Sequence, residues 1–270
     1  MKVVVLTTDT KHHRYFVNKI AMKAETAVIL EQKKLDHWKL YWKWVKRHQS
    51  LTAFIDNPYL QPNYFLFDYL QDQFEERFFR DDPPREFSRG SLEQFYSVND
   101  PECVTWVKDF QPDLIVSFGI GLVKKELLAI EAYKVNIHRG IIPLYRGLDS
   151  DLWAFYFQDF ENVGTTIHQI EARFDVGNIF EQQKLTIEPH MKAYHIRYYT
   201  TMLATEIVER LIDIMSAGTP KMTEQDLSQG QYYSCIPPLK RWLAMIRFER
   251  YRQMLEKQAA SSNKRLKSVN

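Results

Sequence analysis

The stretch from Phe95 to Gly119 leaves this chain few ways to fold. Phe95 to Val98 reads as a short strand, and Asn99-Asp100-Pro101-Glu102 as the start of a helix. Asp100 suits the capping position, Pro101 the first helical position, where its missing N–H is harmless, and Glu102 complements the helix dipole. Val104, Val107 and Phe110 give that helix one apolar face before Gln111-Pro112 stops it. Asp113 to Gly119 is the next strand, ended by a glycine turn. A comparable order opens the chain: the β-branched run Val3 to Leu6, polar Thr7 to Thr10, a helical stretch from His12 to Lys23, and a strand from Thr26 to Leu30. Strand, helix, strand at such spacing makes right-handed βαβ units. Two of them predict an α/β fold, a Rossmann-like, mostly parallel open sheet flanked by helices, with ligands at the C-terminal ends of the strands.

Downstream, Asp149 to Asp159 reads as a helix, and Thr165 to Ile170 and Asn178 to Ile187 as strands. Ile196, Tyr199, Leu203, Ile207, Leu211 and Ile214 form one long helical stripe ended by Gly218-Thr219-Pro220, and Leu239 to Lys257 is a last helix after Pro237-Pro238. The predicted organisation is an α/β domain over residues 1–190, a mostly helical extension over 191–258, and a polar, basic tail over 259–270 read as disordered. Residues 31–93 form an irregular, aromatic-rich connection. Within it Leu35, Trp38, Trp42 and Val45 recur at helical spacing, read as a stripe packed on the sheet in preference to a basic membrane or partner helix. Asp81-Asp82-Pro83-Pro84-Arg85 reads as an exposed loop.

A chain of 270 residues that is 45% hydrophobic buries a core without staples. Its 36 Lys+Arg stand against 34 Asp+Glu, so the charge supplies no field for nucleic acid. The apolar run at the N-terminus is too short for a signal peptide, and no run has the length of a membrane span. Cys103 and Cys235 lie far apart without metal-type spacing and read as free thiols of a reducing compartment. These features predict a soluble, cytoplasmic protein with no metal, nucleic-acid or membrane partner; a homodimer stays open.

The most informative stretch runs from Val135 to Gly147. Alternation along a strand puts Asn136 and His138 on one side. An amide donor and an imidazole converging on one point suit acyl-group transfer, with Asn donating to a developing oxyanion and His handling a proton or stabilising charge. The same spacing also fits a satisfied polar pair at a strand end. Asp175, in the glycine-containing loop Arg173 to Asn178, is an ordinary turn residue by composition. If that loop folds over the first stretch, Asp175 pairs with His138, holds the ring and favours its protonated form.

Residues 112–180 resemble the folate-dependent formyltransferases, which include glycinamide ribonucleotide formyltransferase, the catalytic domain of methionyl-tRNA formyltransferase and sugar N-formyltransferases. The resemblance rests on Pro112-Asp113-Leu114-Ile115-Val116, Asn136-Ile137-His138, Pro143-Leu144-Tyr145-Arg146-Gly147, Gly164-Thr165-Thr166-Ile167-His168 and Asp175-Val176-Gly177-Asn178-Ile179. With the preceding strands it extends over residues 1–190, making that part the catalytic domain. By motif position it implies that Asn136, His138 and Asp175 are catalytic and that 10-formyltetrahydrofolate is the formyl donor. It places the pterin between Ile120-Gly121-Leu122-Val123 and Ala172-Arg173-Phe174. On the acceptor side stand His12 and His13, at the expected ligand crevice, with Tyr145 and Arg146. Neither a metal nor a covalent enzyme intermediate is implied.

Two departures narrow the acceptor. The family's usual His-x-Ser-Leu-Leu-Pro reads His138-Arg139-Gly140-Ile141-Ile142-Pro143, so a glycine replaces a polar residue beside the chemistry. The first loop, Thr7 to Lys11, lacks the glycines with which the ribonucleotide enzyme cradles a phosphate. The C-terminal third reads as helical, unlike the β-barrel of the tRNA enzyme, although Gln229 and Tyr232 resemble the family's closing segment. The resemblance therefore implies formyl transfer to a small primary amine, a nucleotide-linked amino sugar being favoured. The alternatives are a formyltetrahydrofolate hydrolase, or a non-catalytic folate-binding or partner module using the aromatic segment 38–69.

Overall fold

The computed structural model describes residues 1–32, 63–79, 86–87 and 90–267. The stripe Leu35, Trp38, Trp42 and Val45 and the loop Asp81 to Arg85 lie outside the described residues. Strands β1 (Lys2–Thr7), β2 (Glu25–Glu31), β3 (Ser91–Phe95), β4 (Leu114–Phe118), β5 (Tyr133–His138), β7 (Gly164–Gln169) and β8 (Ile179–Lys184) form one sheet in the order β3-β2-β1-β4-β5-β7-β8. The first five are parallel, and β7 and β8 are antiparallel to their neighbours. The predicted mostly parallel open sheet is therefore what forms.

Period-two alternation decides what each face buries. Val3, Val5, Leu114, Val116, Val135 and Ile137 face α1 (Lys11–Ile20) and α6 (Ile196–Ala217). Val4, Leu6, Ala27, Ile29 and Ile115 face α3 (Pro101–Phe110) and the short α4 (Lys125–Leu128). Ala204, Ile207, Val208 and Leu211 of α6 complete the first of these layers. The boundary expected near residue 190 thus cuts through one packed body, because a sheet apolar on both faces needs α6 as a cover. A third cluster joins α5 (Ser150–Phe157) to α7 (Pro238–Lys267) through Phe155, Ala244 and Phe248. A two-stranded parallel ribbon, β6 (Tyr145–Gly147) with β9 (Gln231–Tyr233), adjoins it.

Four expectations are corrected. Strand β3 ends at Phe95 rather than starting there, because its ladder with β2 runs from Ser91 to Phe95. Asp100 stands at the helix N-terminus but its carboxylate accepts the Ser97 N–H at 2.9 Å, closing the preceding turn instead of capping the helix. Within 31–93 a sixteen-residue helix, α2 (Asn63–Phe78), is present. Its buried Glu75 takes both guanidinium arms of Arg197 at 2.5 and 2.8 Å, a tertiary partnership with no local signature. Finally, α7 runs on to Lys267 through most of the stretch read as disordered, since no glycine or proline follows Pro238 to stop it.

Candidate active site

Strand register aligns Ser117 of β4, Asn136 of β5 and His168 of β7 in one row across the sheet. Ser117 Oγ donates to Asn136 Oδ1 at 2.7 Å, which turns the Asn136 Nδ2 toward His168 Nε2 at 3.1 Å. His168 Nδ1 donates to the Gln169 carbonyl at 2.8 Å, so in the neutral ring Nε2 carries the lone pair and accepts. The amide of Asn136 is thereby clamped from both sides, with its donor end toward Asp175.

Asp175 lies between β7 and β8 with φ of +54°, a left-handed conformation uncommon outside glycine. Such conformations persist where surroundings over-determine them. Here the Gly147 N–H donates to Oδ2 at 2.7 Å, and Gln225 Nε2 donates to the backbone carbonyls of Asp175 and Gly177 at 3.2 and 2.6 Å. Gly177 must be glycine: a Cβ there would stand 2.1 Å from the Gln169 carbonyl. The result places Asp175 Oδ2 3.5 Å from His138 Nδ1, and Oδ1 3.3 Å from His168 Nε2 and 3.5 Å from Asn136 Nδ2. The loop folds over the Asn-x-His strand, and the three predicted catalytic residues meet.

Burial by itself would raise the Asp175 carboxyl. At the acid pH where the carboxyl itself titrates and the imidazoles are protonated, the facing charge of His138, the hydrogen bond and charge of His168 and the Gly147 N–H outweigh it and hold the pKa at about 2. His138 goes the other way from the sequence expectation. Burial lowers its pKa below the ordinary 6.5, and the neighbouring Asp175 charge, acting upward, does not recover the difference. The imidazole is only 6% exposed and so loses more hydration on charging than one carboxylate restores. Its Nε2–H donates to the Tyr145 carbonyl at 2.8 Å, leaving the Nδ1 lone pair toward Asp175. Burial likewise pushes His12 and His13 well below 6.5. For groups whose folded pKa is depressed, stability is present above the unfolded value and is lost on acidification. Melting temperature is therefore expected to fall steadily once pH drops below 6.5, each such histidine contributing up to about 1.4 kcal/mol per pH unit. A melting temperature flat between pH 7 and pH 5 would contradict this.

Gly140 is explained by its neighbours. A Cβ there would stand 2.6 Å from Ser150 Cβ and 2.7 Å from His138 Nε2. The space is taken by Ser150 at the start of α5, whose Oγ lies 3.2 Å from His138 Nε2. A hydroxyl thus adjoins the imidazole from a different element. Ser117, His168, Ser150 and Gln225 were not assigned to the site from sequence. Only His168 carried a signal, as the last residue of the Gly164 to His168 motif.

The other predicted site residues divide. Ala172, Arg173 and Phe174 are exposed beside Asp175, and Gly121 is open, a built Cβ meeting only Glu31 Oε2 at 4.0 Å. The loop is tied down from outside: Asn99 Nδ2 donates to the Leu122 carbonyl at 2.9 Å, and Asn99 Oδ1 accepts the Lys124 N–H at 2.7 Å. Leu122 is partly exposed and Ile120 partly buried, whereas Val123 is 3% exposed and packs in the α3–α4 layer, so it supports the loop from within. His12 and His13 are buried rather than displayed in a crevice. His13 Nδ1 lies 3.0 Å from the Thr8 carbonyl with its ring against Phe118, and His12 faces Glu75 at 3.4 Å. Tyr145 commits its phenol to Asp159 at 2.9 Å and offers the site only its carbonyl. Arg146 keeps a buried Nε without an acceptor, and its Nη2 reaches the Gly230 carbonyl at 3.4 Å.

Among the described residues no group of three His, Cys, Asp or Glu side chains is placed to hold a metal, and no helix is long and apolar enough to cross a membrane. A recess of about 980 Å³, lined by Met1, Asp113, Tyr133 and Gln169, holds none of the three catalytic candidates.

Comparison with known proteins follows this geometry. Methionyl-tRNA formyltransferase of Geobacter metallireducens is 29% identical over 131 residues, which cover 48% of this chain and 42% of that protein. The chain thus matches less than half the length of that relative. A 4-N formyltransferase from Francisella tularensis superposes with a TM-score of 0.55 at 15% identity, covering 91% of this chain and 87% of its own. A sugar N-formyltransferase from Shewanella sp. gives 0.54 at 14%, covering 92% and 87%. HypX from Aquifex aeolicus, in complex with tetrahydrofolic acid, gives 0.54 at 13%, covering 92% of this chain and 34% of its own. At such identities these structures establish a shared fold. The family model described as formyl transferase matches residues 74–210, just over half of the sequence, and the chain belongs to the formyl transferase family.

Proposed function

We propose that this chain transfers a formyl group from 10-formyltetrahydrofolate to a primary amine, and that a nucleotide-linked amino sugar is the acceptor. The observation that carries the reading is the Asp175 carboxylate held between His138 and His168 within reach of the Asn136 amide. Similarity in fold to a sugar N-formyltransferase over 92% of this chain supports the acceptor class. A cytoplasmic location belongs to the same reading.

The donor fits the residues present. Gly121 leaves open space beside the strap formed by Asn99, and the exposed 172–174 loop lies next to Asp175. When bound, the donor supplies an electrophilic formyl carbon. The chain's own groups do the rest. Asn136 keeps one Nδ2–H on His168 and exchanges its long 3.5 Å contact with Asp175 for the formyl oxygen as negative charge gathers there. The neutral acceptor amine must shed a proton as its nitrogen bonds to carbon. His138 Nδ1, unprotonated at neutral pH through burial, takes it. The ionised Asp175 stabilises the resulting imidazolium, and the Tyr145 carbonyl fixes the ring through Nε2–H; as the donor's formyl C–N bond breaks, the imidazolium returns that proton to the departing nitrogen, so that tetrahydrofolate leaves and His138 is neutral again.

The test is product analysis with 10-formyltetrahydrofolate and a panel of amines. Amine-dependent N-formyl product is expected; formate release that ignores the amine would establish the hydrolase reading instead. Donor binding is checked separately, because a ligand of the native state raises its stability. A 5-formyl analogue at 100 times its Kd should add about 2.7 kcal/mol. Gly121→Phe, which the open backbone accommodates, should abolish that shift. A shift persisting in Gly121→Phe would put the donor elsewhere.

A further inference from the structure

Arg139 follows His138 in the chain and has no part in the chemistry above. Asn136 and His138 share one side of the sheet with Ser117 and Ile115, the side on which Val123 anchors the 120–123 loop assigned above to the donor. Alternation turns Arg139 to the other side, with Ile137, and the charges it meets there agree. It acts on Glu75 of α2, Arg197 of α6 and the His12–His13 pair of α1. That side is left to the acceptor.

The guanidinium is short of partners. Among the described residues it makes no hydrogen bond, and its ion pair with Asp151 spans 4.0 Å from Nη1 to Oδ2, beyond hydrogen-bond reach. Asp151 Oδ1 accepts the Leu152 N–H at 2.9 Å, and both oxygens of Glu75 are taken by Arg197. Burial lowers the Arg139 pKa from its ordinary value, with Asp151 and Glu75 acting upward, yet the side chain keeps 31% of its surface accessible. An arginine stays charged under such a shift. A cation enclosed by protein and still open to solvent lies on the floor of a crevice. Two nearby cations are already engaged. Lys11 Nζ stands between Asp72 and Glu76 at 2.8 and 3.0 Å, and Arg14 Nε holds Asp9 at 2.6 Å. With no glycine in the Thr7 to Lys11 loop, an anion there has no backbone cradle either.

We propose that Arg139 is a specificity-determining residue for the acceptor, its guanidinium taking the diphosphate of a nucleotide-linked amino sugar whose amine lies at His138. The inference rests on the transfer reading for the identity of the acceptor. A planar fork of N–H donors matches phosphate oxygens two at a time. Adjacency in the chain sets the anion within about one side-chain length of the imidazole, which fits an amine and a phosphate carried on the same small molecule. The phosphate also supplies the hydrogen-bonded counter-charge that Asp151, at 4.0 Å, does not.

The experiment is a calorimetric titration of the full chain with inorganic pyrophosphate, with malonate and with 5-formyltetrahydrofolate, in wild type, Arg139→Gln and Arg139→Lys. Arg139→Gln should weaken pyrophosphate about tenfold or more, the scale of a charge-assisted hydrogen bond. The same variant should bind 5-formyltetrahydrofolate within about twofold of wild type, which also reports that it is folded. Arg139→Lys keeps the charge but not the fork, so its pyrophosphate affinity should fall between the other two. Pyrophosphate affinity unchanged in Arg139→Gln, or a wild type that does not bind pyrophosphate, overturns the proposal. So does tighter binding of malonate than of pyrophosphate, which would make this a carboxylate site. A loss confined to the folate probe would give Arg139 to the donor's glutamate carboxylates, and parallel loss of both probes in both variants would make it a support of the fold; each overturns the proposal. The transfer reading fails separately, through absence of amine-dependent product in the wild type, because the titration does not use turnover.

Discussion

Alanine at His138 or at Asn136 is expected to lower kcat/KM by about 10²-fold or more, the usual loss when one preorganised donor to a developing oxyanion, or one positioned proton acceptor, is removed. Folding is expected to survive. Asn136 is half-buried in the second half of its strand, and after loss of His138 the Tyr145 carbonyl still accepts from the Ser150 hydroxyl at 3.3 Å, so the change costs about 1–3 kcal/mol. Asp175→Asn tests the coupling. It keeps the shape but removes the charge that opposes burial at His138, so the His138 pKa should fall further. Because His138 must be unprotonated to accept the amine proton, the rate falls as pH drops through that pKa. The acid limb of kcat/KM should therefore move to lower pH in Asp175→Asn while the plateau drops. If the two groups titrate together, the limb belongs to the pair. Superimposable profiles at similar rates would reduce Asp175 to a turn residue, and full turnover in either alanine variant would remove the catalytic assignment.

Gly140→Ser restores the residue usual in the motif and is expected to damage the site. Its Cβ would enter the space of Ser150 Cβ at 2.6 Å and His138 Nε2 at 2.7 Å, far inside van der Waals contact. Overpacking of this kind destabilises by about 1–3 kcal/mol, and displacing the imidazole by even ~1 Å should lower kcat by about 10²-fold. Ser150→Gly in the same chain removes one of the two clashing groups. The double variant should recover part of the lost stability and part of the turnover, read from melting temperature and initial rates. Losses that simply add in the double variant would show that Ser150 does not fill the place left by Gly140.

The βαβ framework was legible because its signals are local. Val3 to Leu6 and Leu114 to Phe118 are short apolar runs bounded by polar or glycine turns, and Pro101 and Gly218 punctuate helices through their own backbone chemistry. Asn136 and His138 shared a side by strand alternation alone, and Asp175 was assigned by its place in an ordered set of motifs. What stayed hidden depends on partners distant in the chain. Glu75 finds Arg197 across 122 residues and steadies a helix that has little apolar periodicity. His168 enters the site only because β7 pairs antiparallel to β5 in a register that sets it beside Asn136.

The sequence by itself determined the sheet and the layering of helices on it, and it singled out the amide, imidazole and carboxylate that the fold brings together, since periodicity, turn chemistry and motif order are properties of neighbouring residues. Only the tertiary structure decided their electrical state. Proximity to Asp175 pointed to a charged His138, but the surrounding packing removes water from the ring, and the lost hydration outweighs the attraction of one carboxylate. The same packing withdrew His12, His13 and the Tyr145 phenol from the acceptor side and brought Ser150 beside His138 in the space left by Gly140. Side-chain burial and hydrogen bonds across long stretches of chain are set by the whole fold, and no local pattern encodes them.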